Sequence, residues 1–481
     1  MSSTAAPNSS GVSLRFADLL AAASASAQGL EEDGVLSLAL PLPCVDPLPL
    51  LPLLPAGDGF RFLWDGAPGL CVAAAGRCQS LELSGPRRFE LAQRFASLTL
   101  GRLSTAQATP ASARARVLLA FGFFDTPLQS CRDGVPGVQA VLPRWQLSRH
   151  GQHCWLRLQA VIGGASTARH LAEELWETAT QLSQAARAGL GQQPSVAATV
   201  SWCSPWQRHY NAVVERGLEL VEAGELRKLV LAVRQELHCE RELDPLELLP
   251  PLRRQQSGSC RLLWQRAPGS ALVGASPERL LTVRQGQLRS DALAGTAAGE
   301  VSAGDLLQSS KDRHEHELVA ITIVDALQQL GLTTRRPRHP RLARHGHLTH
   351  LHTPITAPLG GQHPLTIAAA LHPTPAVAGL PRREAMQWLR SLEPFERGHY
   401  AAPIGWIDSA GDTDLRVAIR CGVVRGSQLE LTAGAGLVRG SQPDRELQEV
   451  KLKLDVLQEQ LNLPKPLPDQ LNRDTLRCVA P

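Results

Sequence analysis

Residues 270–295 read SALVGASPERLLTVRQGQLRSDALAG, apolar and β-branched runs that turn back on each other at Gln285-Gly286. A two-residue turn joins only antiparallel neighbours, because parallel strands need a crossover of about a dozen residues or more. Any fold for this chain must therefore contain an antiparallel sheet. The signal recurs in DLRVAIRCGVVRGSQLELTAG (414–434), a hairpin turning at Arg425-Gly426-Ser427. RKLVLAVRQELHC (227–239) and CRLLWQR (260–266) read as further strands, with strand-like pieces at 116–125 and 139–147. Helical spacing of apolar residues marks 167–190, 309–332 with a capping serine, and 441–461. Another helix is expected from Ser204 as cap and Pro205 as first residue to Gly224. With no internal repeat and no linker, the pattern fits one integrated α+β unit. Its expected core is a large antiparallel β-sheet sandwich flanked by helices.

At 481 residues the chain is long enough to bury a large core, and its net charge of +4 is spread over both signs. That balance offers no case for nucleic acid or a membrane surface as partner. Arg335, Arg336, Arg338, Arg341 and Arg344 form a local basic stretch, read as a solvated connection because no stacking aromatics interleave with it. The ten cysteines lack any CxxC pair, which suits a reducing compartment and argues against structural zinc. The most apolar stretch, 35–55, is broken by prolines and reads as no membrane span. The first 30 residues are Ser/Ala-rich with Arg15 as their one basic residue. A plastid transit peptide shares such a composition, but the scarcity of arginine favours a frayed start and a cytoplasmic location.

Only five of the 49 basic residues are lysines: 228, 311, 451, 453 and 465. Arginine stays protonated at physiological pH, whereas a lysine amine can be tuned to give up its proton. A lysine kept against such a bias is a candidate for chemistry that needs the amine.

Glu446, Glu449 and Lys453 are spaced i, i+3 and i+7, one face of the last helix. A salt-bridged solvent face has the same pattern. A glycine loop, TAGAGLVRGS (432–441), precedes them. Its backbone amides can approach an anion, though the loop lacks P-loop or dinucleotide spacing. Asp312 and Glu315, in KDRHEH (311–316), lie one turn apart, where acids also complement the helix dipole. Carboxylates on two facing helices are a donor set for a hard cation such as magnesium. Pro277 interrupts a strand and can project Glu278 from the sheet. Lys228 alternates onto one face with Val230 and Ala232, so it either snorkels outward or sits in an apolar site.

Together these segments resemble the chorismate-utilising enzymes, which include isochorismate, salicylate, anthranilate and aminodeoxychorismate synthases. The resemblance runs in order through KLVLA (228–232), GASPERLL (274–281), LAGT (293–296), KDRHEH, HLHTPI (350–355) and LHPTPAVAG (371–379). It continues through ERGHYAAPIGW (396–406), VAIR (417–420), AGAGLV (433–438) and SQPDRELQEVKLK (441–453). Val233, Ala378 and Ala402 depart from an arginine and two glycines common in that family.

The resemblance implies that 201–465 is the chorismate-binding catalytic region, 1–200 the variable N-terminal half of the same fold, and 466–481 a tail. It implies a water-using member, an isochorismate synthase or, as the alternative, a salicylate synthase, because Lys228 stands where those enzymes carry a base; an amine-using anthranilate or aminodeoxychorismate synthase and a non-catalytic ligand-binding relative are the remaining alternatives. Glu278 is then the general acid. Mg2+ is implied on Glu315 and Glu449, with Glu446 acting through water. Gly295, Thr296, His350, Thr374, Tyr400, Arg420, Gly434, Ala435, Gly436 and Lys453 are the implied substrate-binding set. The expected partner is chorismate alone, with no glutaminase subunit, on a monomer or weak dimer. Quinone synthesis, menaquinone or phylloquinone, is the expected use of the product.

Overall fold

The computed structural model describes residues 15–463, apart from 31–33, 67–68, 106–108, 129–133, 164–166, 190–198, 257 and 299–300. The expected tail, 466–481, lies outside the described residues. Twenty strands among the described residues join in one hydrogen-bonded network. Among the described residues its pairings are antiparallel, except where Val35–Leu42 runs parallel to Leu103–Thr105.

The network branches at the long strand Val138–His150. One edge of it follows Cys71–Leu83 throughout. Its other edge changes partner midway, from Arg116–Phe121 at its start to His153–Val161 at its end. Pro143 sits at the changeover, where a missing N–H does no harm, and a bulge between Arg77 and Gln79 bends the neighbouring strand there.

From this branch one arm runs through Arg61–Asp65, Cys260–Ala267, Ser270–Ser276, Cys421–Arg425 and Gln428–Leu437 to Lys228–Cys239. The other runs through Arg116–Phe121, Pro403–Asp408, Thr413–Val417, Arg279–Arg284 and Gln287–Ala298 to Leu348–Pro358. A shared aromatic layer, Phe62, Trp64, Trp264 and Trp406, is buried between strands of the two arms, as the sandwich expectation requires. Edge-on ring pairs such as Phe62–Trp264, 5.9 Å apart, fix its packing. Helices cover the outer faces over the larger core.

The Gln285-Gly286 turn has φ of 50° and 74°, the mirror-type geometry whose twist matches that of flanking strands. The helix expected from Ser204 instead begins at Gln207. Ser204 is still tied to the sheet, its N–H donating to Glu236 O and its Oγ accepting from Glu236 N–H. Within the first 30 residues, Phe16–Ala27 is a helix that buries Leu19 and Ala23, one turn apart, and sets Phe16 edge-on to Trp176 at 5.8 Å, so the frayed reading fails there. In the basic stretch, Arg341–His345 forms a strand at the sheet edge. Its mostly exposed arginines suit an edge that must not recruit other strands.

Candidate active site

The chain crosses from one arm of the sandwich to the other at two neighbouring places. One crossing lies between Ser270–Ser276 and Arg279–Arg284, the other between Thr413–Val417 and Cys421–Arg425. Ala275 N–H donates to Arg420 O, and Val417 N–H donates to Glu278 O, so the two breaks brace each other. Glu278 and Arg420 stand at these breaks, where the ladder no longer dictates side-chain direction. Arg420 adopts φ +57°, a conformation that costs a non-glycine residue roughly 1 kcal/mol or more. Gly274 is required at the crossing, since a Cβ there would lie 2.4 Å from Arg420 O.

A cavity opens beside the crossings, lined by Glu278, Gly295, Thr296, Glu315, His350, Tyr400, Arg420, Gly434, Gly436, Glu449 and Lys453 among others. Its void is about 80 Å3, room for a few waters. Glu278 is 4% exposed, and burial raises its pKa to about 8 although the Lys228 charge pulls the other way. The carboxyl is thus held protonated at neutral pH. Ser276 Oγ anchors this segment by donating to Val417 O at 2.6 Å and accepting from Glu278 N–H.

Lys228 opens the Lys228–Cys239 strand and is 1% exposed. Its Nζ donates to Glu315 Oε1 at 2.9 Å, reaching across to the Ser310–Gln329 helix. That helix starts as the sequence suggests, Ser309 Oγ accepting from Asp312 N–H. Gly436, opposite Val230 on the adjacent strand, makes room: a Cβ there would lie 2.7 Å from Glu315 Oε1 and 2.9 Å from Lys228 Cε. The outer edge of the lysine strand is sealed by a buried pair. Glu393 accepts from Ala232 N–H at 2.8 Å, while Arg397 donates to Val230 O at 2.7 Å and to Glu393. The sequence reading assigned this pair no role, although Arg397 lies inside one of its segments.

On the last helix, Lys453 Nζ bonds Glu449 Oε1 at 2.6 Å and Gly434 O at 2.7 Å. Burial would raise the Glu449 pKa, but Lys453 holds it below the ordinary carboxylate range. Glu446, expected beside it as a water-mediated metal contact, is not at the cavity wall; it pairs with Lys311 Nζ at 2.7 Å. Each carboxylate of the expected metal set thus lies on a lysine. Among the described residues no three acidic, imidazole or thiol groups form a ready-made metal cluster. The donor set is nonetheless all oxygen and carried by two helices, Ser310–Gln329 and Pro443–Gln460, a chemistry that fits a hard divalent ion such as Mg2+.

His350 is buried, and its pKa falls well below the usual imidazole value because of burial. Nδ1 lies 2.9 Å from Gly295 O, an oxygen that can only accept, so the proton sits on Nδ1 and Nε2 carries the lone pair. Nε2 has no partner among the described residues, nor does the buried Thr374 Oγ1. Thr296 Oγ1 lies 3.3 Å from the same Nδ1. Gly295 adopts φ +73°, a left-handed conformation that favours glycine. Burial pushes the Tyr400 hydroxyl up to about 12 and Arg420 down to about 10.

Eleven expected site residues therefore line one cavity, and Lys228 reaches it through Glu315. Thr374, Ala435 and Glu446 are outside its wall. Ala435 is packed fully into the main core, on the opposite strand face from Gly434 and Gly436.

The family model described as chorismate binding enzyme matches residues 20–462. The chain belongs to the chorismate binding enzyme family. It is 39% identical over 266 residues to the salicylate biosynthesis isochorismate synthase of Pseudomonas aeruginosa, covering 53% of this chain and 55% of the relative. It is 36% identical to isochorismate synthase DhbC of Bacillus subtilis, covering 52% and 66%. The matched segments thus span between about half and two thirds of those relatives' lengths. Among solved structures, the menaquinone-specific isochorismate synthase MenF of Escherichia coli superposes with a TM-score of 0.73 at 25% identity, over 92% of this chain and all of that one. Anthranilate synthase component I of Streptococcus pneumoniae shares the fold at 0.66 and 18% identity, over 81% of this chain and 92% of that one. The α+β fold expected from the sequence is the fold of this family.

Proposed function

We propose that the chain is an isochorismate synthase. The observation that carries this reading is a cavity-wall carboxyl, Glu278, that burial keeps protonated at neutral pH, with a buried amine, Lys228, held behind the same wall by Glu315. The similarity to several isochorismate synthases supports it.

In the proposed reaction Lys228, working from its neutral amine form, takes a proton from a water that attacks C2 of chorismate. The ring double bonds shift, and Glu278 gives its proton to the C4 hydroxyl, which leaves as water. One water enters and one departs, so the product is an isomer. A carboxyl with a pKa of about 8 suits an acid operating near neutrality. Glu315 and Glu449 would hold Mg2+, which when bound neutralises and orients the ring carboxylate. Arg420, Tyr400 and Lys453, all on the cavity wall, would bind the two carboxylates of the substrate. The bare Nε2 of His350 offers an acceptor for a substrate hydroxyl.

Chromatography of products after incubation with chorismate, with and without Mg2+, tests the reading. Isochorismate alone is expected. Salicylate and pyruvate would make the protein a salicylate synthase instead, and no turnover of chorismate would end the proposal.

A further inference from the structure

The first turn of a helix attracts acids and repels cations, because its free N–H groups carry partial positive charge. Lys311 is nevertheless the second residue of the Ser310–Gln329 helix. What holds its ammonium there is the carboxylate group behind it. Its Nζ donates to Glu446 Oε1 at 2.7 Å. The pair is lopsided: the Glu446 side chain is 2% exposed and the Lys311 side chain 32%. The carboxylate is fixed, and its cation has a route to water.

The other two lysines of the cluster have no comparable exit. Lys228 is 1% exposed. Lys453, 16% exposed, is also tied to a backbone carbonyl. A divalent cation entering between the two helices meets acidic oxygens already taken by ammonium groups. Lys311 is the one placed to yield.

We propose that Lys311 is a built-in counter-cation that occupies Glu446 in the metal-free site and gives way when a divalent cation binds, so that it sets the metal affinity. The inference rests on the proposed reading in taking Mg2+ as the ion, and it adds Glu446, one helical turn from Glu449 and behind the cavity wall, as a further contact of that ion. Lys311 keeps a buried carboxylate from standing unpaired while the site is empty, and thereby weakens binding of the metal that replaces it. It touches no reacting atom; it is a positioning residue for the metal.

The test is binding of Mg2+ alone to substrate-free protein, by calorimetry, for wild type and Lys311→Met. Removing a competing, partly exposed ion pair is expected to tighten Mg2+ binding roughly 5-fold. The metal-free variant should melt earlier than wild type, and saturating Mg2+ should recover more of its Tm than the same addition gives wild type. Lys311→Gln serves equally if the methionine variant does not fold. Unchanged or weaker Mg2+ binding in the folding variant, or no Mg2+ binding by wild type, would overturn the inference even if chorismate is converted. Tighter binding in a protein that makes no isochorismate would sustain it and remove the functional reading instead.

Discussion

In the N-terminal half, Arg88, Arg116 and Arg157 lie buried on backbone carbonyl oxygens, whereas in the C-terminal half Lys228, Lys311 and Lys453 lie on carboxylates. Arg157 donates to Ala113 O and Ser37 Oγ, and Arg116 to the carbonyls of Ala111, Ser112 and Arg114. Burial lowers the pKa of Arg157 to about 10 and that of Arg116 to about 9, yet both remain charged at any physiological pH. A guanidinium spread over several fixed carbonyls closes a loop and leaves no group to exchange. An ammonium on a carboxylate can change partner or lose its proton. The lysine scarcity of this sequence therefore marks place: of the four lysines among the described residues, three stand in the carboxylate cluster.

The contrast breaks most sharply at Lys228. On the proposed reading, Lys228→Ala should lower kcat by roughly 10³-fold or more without loss of fold, measured by product chromatography beside circular dichroism. Near-normal turnover would strip the amine of its role as base. By contrast Arg157→Met should destabilise the protein by about 2–4 kcal/mol in denaturant melts, because buried acceptors lose their donor, and leave kcat of the folded protein unchanged. A matching drop in kcat would show that the carbonyl-bound arginines are not merely structural.

Gly436→Ala tests the packing between these extremes. Its Cβ would intrude on both members of the Lys228–Glu315 pair, so kcat should fall at least roughly 10-fold with only a modest loss of stability. The pH response sharpens the Glu278 assignment. Its pKa is raised from 4.5 to about 8, so the folded state holds a proton there that the unfolded chain has lost. Stability from this group is complete below the unfolded value and is lost as pH rises through the folded one. Wild type should therefore lose stability relative to Glu278→Gln between about pH 5 and pH 8, and its turnover should fall as pH passes 8. Parallel stability curves for the two proteins would mean that the carboxyl titrates normally. The smallest effect is expected at Arg336→Ala, which removes a partly exposed pair with Glu317 and should change stability by less than about 0.5 kcal/mol.

Local signals in the sequence survived into the structure, and relations between distant segments did not show. The Gln285-Gly286 turn, the Ser309 cap and the projection of Glu278 after Pro277 each depend on a few neighbouring residues. The branching of the sheet at Pro143 was not legible, because it depends on which of two remote strands pairs with each half of Val138–His150. The Glu315–Lys228 and Glu446–Lys311 pairs join residues 87 and 135 positions apart, so helical spacing exposed the carboxylates but not their cations. Ala435 was within reach of sequence reasoning. Strand alternation separates it from Gly434 and Gly436, and only its membership of the AGAG run placed it with them. Ser204 had the right residue type for a helix cap and was claimed by the sheet, a local preference overruled by a long-range hydrogen bond.

The buried Glu393–Arg397 pair also bears on how the protein avoids its neighbours. Midway along Lys228–Cys239, peptide groups on the side away from Gln428–Leu437 meet side chains rather than another strand. Those donors and acceptors are already taken, so this stretch of edge offers no template to a foreign chain in a crowded cell.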